Sequence, residues 1–147
     1  MILSIASQKG GTGKTTTAIT LSAGLARFGK KVLLIDIDSQ ANASKVLLPH
    51  YLEIKKEDTI FTTILERNPL PVHSSKIENL HVVPAHILLS NTDVELTTAK
   101  DHREARLKIA LDLLRRDYDH IIIDCPPALS WLTINAFTAS DEVLVVI

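Results

Sequence analysis

The chain has 147 residues, a net charge of −1, and 46% apolar and 22% charged side chains. That is the composition of one soluble globular domain large enough to bury a real core, and it lacks the basic excess of a dedicated nucleic-acid binder. The single cysteine, Cys125, excludes an internal disulfide; with no secretory leader and no apolar run of membrane-spanning length, a cytoplasmic setting is expected.

In chain order, residues 2–7 read as a short buried strand and residues 8–14 as a glycine loop. Residues 15–28 follow with Ala18, Ile19, Leu21, Leu25 and Ala26 at helical spacing, and Gly29 is a suitable stop. Val32, Leu33, Leu34 and Ile35 form a continuous apolar run within residues 31–38, as in a strand covered on both faces. A short helix over 41–48 is expected before Pro49, and another near 59–66 within the weakly patterned stretch 49–79. Residues 80–84 read as a third strand. Thr92-Asp93-Val94-Glu95 has the pattern of a capping box, opening helical sequence that continues to Arg116 with a break near 100–102. Residues 118–124, around Ile121-Ile122-Ile123, form a strand; 128–139 a helix; 142–147 a further strand. Strands alternate with helices throughout, which predicts an α/β fold with a mostly parallel sheet flanked by helices. Residues 1–147 are read as one domain, and the chain's end inside an apolar strand as the N-terminal portion of a longer protein.

The chemistry concentrates at Gln8-Lys9-Gly10-Gly11-Thr12-Gly13-Lys14-Thr15-Thr16, between the first strand and the first helix. Glycines let backbone N–H groups turn towards phosphate oxygens, and a helix N-terminus adds positive potential. Lys14 is placed to reach β- and γ-phosphates and the Thr15 hydroxyl to ligate Mg²⁺. The usual pattern G-x-x-x-x-G-K-[ST] fails at Gln8, whereas K-G-G-x-G-K-T is complete. A nucleoside triphosphatase also needs acids near the metal and the attacking water. Asp124 ends one strand; Asp36 and Asp38 end another, with spacing that puts both on one face. Asp124 is the candidate for Mg²⁺, through water, and one of Asp36 and Asp38 for orienting the nucleophile.

These segments resemble a known family. Lys9-Gly10-Gly11-Thr12-Gly13-Lys14-Thr15 is similar to the deviant Walker A of ParA/Soj-type partition ATPases and their MinD-like relatives. Leu34 to Ala43 resembles the second motif of the ParA branch, and Ile121 to Pro127 its Walker B. Ser39 stands where family members commonly have proline. The resemblance implies ATP and Mg²⁺ as ligands and a P-loop NTPase that closes into an ATP-bound homodimer. It assigns phosphate contacts to Lys9, Gly10, Gly11, Thr12, Gly13, Lys14, Thr15 and Thr16. Lys9 is then the signature lysine reaching the partner's phosphates, and Lys14 the lysine acting in cis. Thr15 ligates the metal, Asp38 positions the attacking water, and Asp124 acts through the metal's water shell. The resemblance further implies slow, partner-stimulated hydrolysis, a ParB-like activator, non-specific DNA binding by the full-length ATP-bound protein, and a nucleoid-associated cytoplasmic location without membrane binding. Nothing precedes the first strand, so the helix-turn-helix extension of longer plasmid ParA proteins is not expected.

Two alternatives share the loop. A MinD-like membrane-cycling ATPase needs a C-terminal amphipathic helix, and the stretch from Asp38 to Asn42 favours the ParA branch over it. A metabolic P-loop enzyme needs a substrate pocket and has no use for Lys9. The histidines at 50, 73, 81, 86, 102 and 120 form no metal-binding pair and read as surface or loop residues. Lys55-Lys56 and Arg115-Arg116 read as solvated faces, Cys125 as a buried packing residue, and Trp131 as core.

Overall fold

A computed structural model describes residues 1–147. Six strands form one sheet: β1 (Ile2–Ala6), β2 (Val32–Asp36), β3 (His73–Ser74), β4 (Leu80–Val83), β5 (His120–Asp124) and β6 (Glu142–Val145). Their order is β3-β4-β2-β5-β1-β6. Every pairing is parallel except that of β3 with β4. The apolar runs of β2 and β5 are continuous because both faces are covered. Leu33, Ile35, Ile121 and Ile123 enter one core, while Val32, Leu34 and Ile122 enter the other. Helices α1 (Lys14–Arg27) and α2 (Asn42–Leu47) cover the second face through Ala18, Ala26, Ala43 and Leu47. Helices α3 (Ile60–Glu66), α4 (Thr92–Thr98), α5 (Arg106–Asp112) and α6 (Trp131–Ala139) cover the first, through residues such as Ile64, Leu96, Leu107 and Ala136. The expected α/β architecture is therefore present.

Several local expectations need correction. The capping box at Thr92 does not form, because a 3₁₀ turn over Ile87–Asn91 runs directly into α4. The Thr92 hydroxyl donates back to the Leu89 carbonyl (2.7 Å) rather than accepting from the helix. The break expected near 100–102 is present but wider, from Ala99 to Ala105 between α4 and α5, and the helical sequence ends in a separate 3₁₀ turn at Arg115–Asp117. Strand β3 was not expected; its two residues carry no periodic signal. His73, His81 and His120 lie on strands rather than in loops, all half-buried, and His81 Nδ1 sits 2.8 Å from the Tyr118 hydroxyl. Trp131 is half-buried at the core's margin, where the Arg103 guanidinium stacks 4.4 Å from its ring centroid.

Candidate functional site

The glycine loop joins β1 to α1 at the carboxyl end of the sheet, the edge where open α/β sheets place their ligands. Gly11 and Gly13 adopt φ of 72° and 86°, in the left-handed region that a β-carbon disfavours. Gly13 caps α1 with no side-chain hydrogen bond, so the first-turn N–H groups keep their anion-binding character. A Cβ added at Gly10, Gly11 or Gly13 would meet no atom within 4 Å; the loop opens onto free space of the kind phosphates require. That space is a cavity of about 440 Å³ walled by loop residues 9–16 with Asp38, Gln40, Asn42 and Pro127, and none of its lining residues is hydrophobic. A neighbouring cavity of similar volume shares Lys9 and Thr12 but is otherwise mainly apolar, walled by residues such as Leu129, Phe137 and Val145.

Lys14 opens α1 and is buried, and its Nζ lies 3.7 Å from Asp124 Oδ1 and 3.9 Å from Asp38 Oδ2. Three sequence-predicted residues from three separate segments thus converge on one point. Neither Asp124 oxygen has a hydrogen-bond partner, although both are buried. Burial pushes the Asp124 carboxyl above its ordinary pKa, and the Lys14 charge pulls it back. A buried carboxylate left without donors suits a hydrated divalent cation, whose water shell supplies them. Thr15, in the first turn of α1, is the hydroxyl beside it, so the residues present fit Mg²⁺.

β2 ends at Asp36, two residues short of the expected end at Asp38, and the structure separates the work of the two acids. Asp36 is fully buried, and its oxygens accept from Ser44 N–H (2.9 Å), Ser44 Oγ (2.7 Å) and Asp38 N–H (3.1 Å). Ser44 Oγ in turn accepts from Ala85 N–H at 3.0 Å. Asp36 therefore braces the exit of β2 against α2 and the end of β4. Asp38 accepts only from Gln40 N–H (3.0 Å) and faces Lys14. Ser44 was missed in the sequence: a serine eight residues from its carboxylate carries no local pattern.

Burial, and after it the nearby Asp124 charge, raise the Asp36 pKa to about 7 from 3.8, against the Ser44 hydrogen bonds. The folded chain thus holds this proton more tightly than the unfolded chain does. Its contribution to stability is complete below about pH 4 and is lost as pH rises towards about 7. Asp124 acts in the same direction. Urea midpoints of the wild type are expected to fall more between about pH 5 and about pH 8 than those of Asp36→Asn. Parallel curves would show that Asp36 is ionised at ordinary pH.

Lys9 stands apart from this cluster. It is exposed on the cavity's rim and forms no ion pair. Its backbone is held, with its N–H donating to Ser7 Oγ at 3.2 Å and its carbonyl accepting from Thr12 Oγ1 at 3.4 Å.

The family model described as "AAA domain" matches residues 1–147. The chain belongs to this family. Within it, the chain is of the ParA/Soj type. It is 44% identical over 146 residues to the sporulation initiation inhibitor protein Soj of Bacillus subtilis, covering 98% of this chain and 56% of that protein. It is 45% identical over 149 residues to the chromosome partitioning protein ParA of Myxococcus xanthus, covering 98% and 50%. Among solved structures, a plasmid partition protein from Borrelia burgdorferi superposes with a TM-score of 0.88 at 33% identity, covering 98% of this chain and 64% of that one. Cobyrinic acid a,c-diamide synthase from Mycobacterium smegmatis, solved with a bound ATP analogue and magnesium, does so with a TM-score of 0.88 at 35% identity, covering 99% and 59%. The chain spans about half the length of the curated ParA/Soj relatives it matches. No helix in it is long and apolar enough to cross a membrane.

Proposed function

We propose that this chain is the nucleotide-binding half of an ATP-driven dimerising switch of the ParA type, which moves or positions DNA or another cargo. The observation that carries this reading is the division of labour between two lysines on one polar cavity. Lys14 is buried and held between Asp38 and Asp124, while Lys9 is exposed on the rim with no partner in its own chain. A lysine that serves only its own site gains nothing from exposure, whereas one that reaches a facing protomer's phosphates needs it.

In this reading the N–H groups of Gly10 to Thr16 cradle the phosphates and Lys14 neutralises them. Bound Mg²⁺ would supply charge stabilisation at the phosphate oxygens, held by Thr15 and, through water, by Asp124. Asp38 orients the attacking water, and the Asp36–Ser44 brace fixes where Asp38 stands. Slow turnover suits a switch whose bound state is the signal. Stimulation by a ParB-like protein, non-specific DNA binding in the ATP state and a nucleoid-associated cytoplasmic location belong to the same proposal.

The test is duplex binding by the full-length protein with ATP and with ADP at one fixed salt concentration, since phosphate-driven affinity depends steeply on salt. Unrelated duplexes are expected to bind at least about tenfold more tightly with ATP. Lys9→Ala is expected to keep monomeric ATP binding within about threefold while losing ATP-driven dimerisation and DNA binding together. Dimerisation and turnover unchanged in Lys9→Ala would refute the role given to Lys9 and move the reading towards a metabolic enzyme of this fold.

A further inference from the structure

The loop between β2 and α2 carries Asp38, and its hydrogen bonds leave one carbonyl over. In a regular α-helix the Ser44 N–H would donate to the carbonyl four residues back, which is that of Gln40. Here it donates to Asp36 Oδ2 instead (2.9 Å), so the Asp36 brace takes the donor that Gln40 would have had. The Gln40 carbonyl accepts from Lys45 Nζ at 2.9 Å and from no backbone N–H. Lys45 belongs to the last turn of α2 and reaches back to the helix start, where the dipole disfavours a cation. The carbonyl, and not the dipole, holds the ammonium there.

The backbone beside this contact is strained. Ala41 has φ of 55° and ψ of 33°, the left-handed conformation that a β-carbon disfavours, and it is buried in the core of the α3–α6 face. Its N–H closes a turn onto the Asp38 carbonyl at 2.8 Å, while the Gln40 N–H holds Asp38 Oδ1 at 3.0 Å. Gln40 thus holds Asp38 through its N–H and is itself held by Lys45 through its carbonyl. Lys45 does not wall the nucleotide cavity; with Gln40 and Ala41 it lines a separate cavity of about 330 Å³. It forms no ion pair. Solvation accounts for the exposure of Lys45, but not for its bond to the one carbonyl that the Asp36 brace leaves free.

We propose that Lys45 is a positioning residue for hydrolysis: its ammonium clips the Gln40 carbonyl, holds Ala41 in its left-handed conformation and so keeps Asp38 aimed at the attacking water. This role rests on the water-positioning role given to Asp38.

The test is single-turnover hydrolysis beside equilibrium ATP binding in the full-length protein, for Lys45→Met, Lys45→Arg and Asp38→Asn. Lys45→Met keeps an unbranched stem and removes the donor. It is expected to lower hydrolysis about three- to tenfold while ATP affinity stays within about twofold. Lys45→Arg keeps a cationic donor and is expected to hydrolyse within about twofold of the wild type. In Ala41→Gly the left-handed conformation needs no clip, so adding Lys45→Met there is expected to cost less than about twofold. Unchanged hydrolysis in Lys45→Met, equal losses of affinity and hydrolysis, no rescue by Lys45→Arg, or an undiminished loss in a folded Ala41→Gly overturns the proposal. Hydrolysis lost in Asp38→Asn but kept in Lys45→Met removes the role of Lys45 alone, whereas hydrolysis kept in Asp38→Asn removes both roles. A poorly folded Ala41→Gly leaves the comparison of the two lysine variants intact.

Discussion

Lys14→Ala is expected to weaken ATP binding by about 10² to 10⁴-fold. Charge-assisted hydrogen bonds contribute roughly 1.5–3 kcal/mol each, and a lysine at the head of this loop is placed for contacts to two phosphates. Two such contacts give about 3–6 kcal/mol, or about 10² to 10⁴-fold in affinity. The free protein changes as well. Lys14 is the shared counter-ion of Asp38 and Asp124, and Asp124 has no hydrogen bond to fall back on. Without the ammonium, the Asp124 pKa moves further in the direction burial already pushes it. Calorimetric titration with a non-hydrolysable ATP analogue measures the first effect. A loss of less than about tenfold would mean that Lys14 does not meet the phosphates.

Asp38→Asn is expected to separate binding from turnover. The substitution preserves shape and lets the amide oxygen keep the Gln40 N–H bond, now at 3.0 Å. It also frees Lys14 from one of its two carboxylates. ATP affinity is therefore expected to stay within about threefold or to rise. Hydrolysis is expected to fall by about 10² to 10⁴-fold, the usual contribution of a positioned acid–base group. Single-turnover hydrolysis beside equilibrium nucleotide binding in the full-length protein decides it. Equal losses in both would make Asp38 a structural residue, and unchanged hydrolysis would return the water-positioning role to a group outside this chain's cluster.

The legible parts of this molecule were those with a strong local period or a motif tied to backbone geometry. The apolar runs of β2 and β5 announced strands covered on both faces, and the glycine loop between a strand and a helix announced its phosphates. The placing of Asp36 and Asp38 at the carboxyl end of β2 followed from the apolar run before them. What separates them did not, because the Ser44 hydrogen bonds depend on how α2 returns over the end of β2. The capping box at Thr92 was a correct pattern overruled by the preceding 3₁₀ turn. Arg106 gave no sign of burial, since its carbonyl partners Ile64 and Leu65 come from a helix far away in sequence. The Thr92 case turned on a local turn, and the other two on contacts between separate elements.

The strand order sets a schedule for making the protein. The phosphate loop is written in the first residues, directly after β1, yet β1 lies between β5 and β6. Its residues Ile2 to Ile5 pair with Ile121 to Asp124, and Leu3 to Ala6 pair with Glu142 to Val145. Neither neighbour exists until synthesis has reached His120. During elongation β1 and its loop have no sheet to join, while β2 and β4 can already pair. Closing such long loops is slow and leaves apolar strands waiting. The phosphate loop is thus made well before the strand that completes its cavity, so a nascent chain holds no nucleotide until β5 has delivered Asp124 beside Lys14.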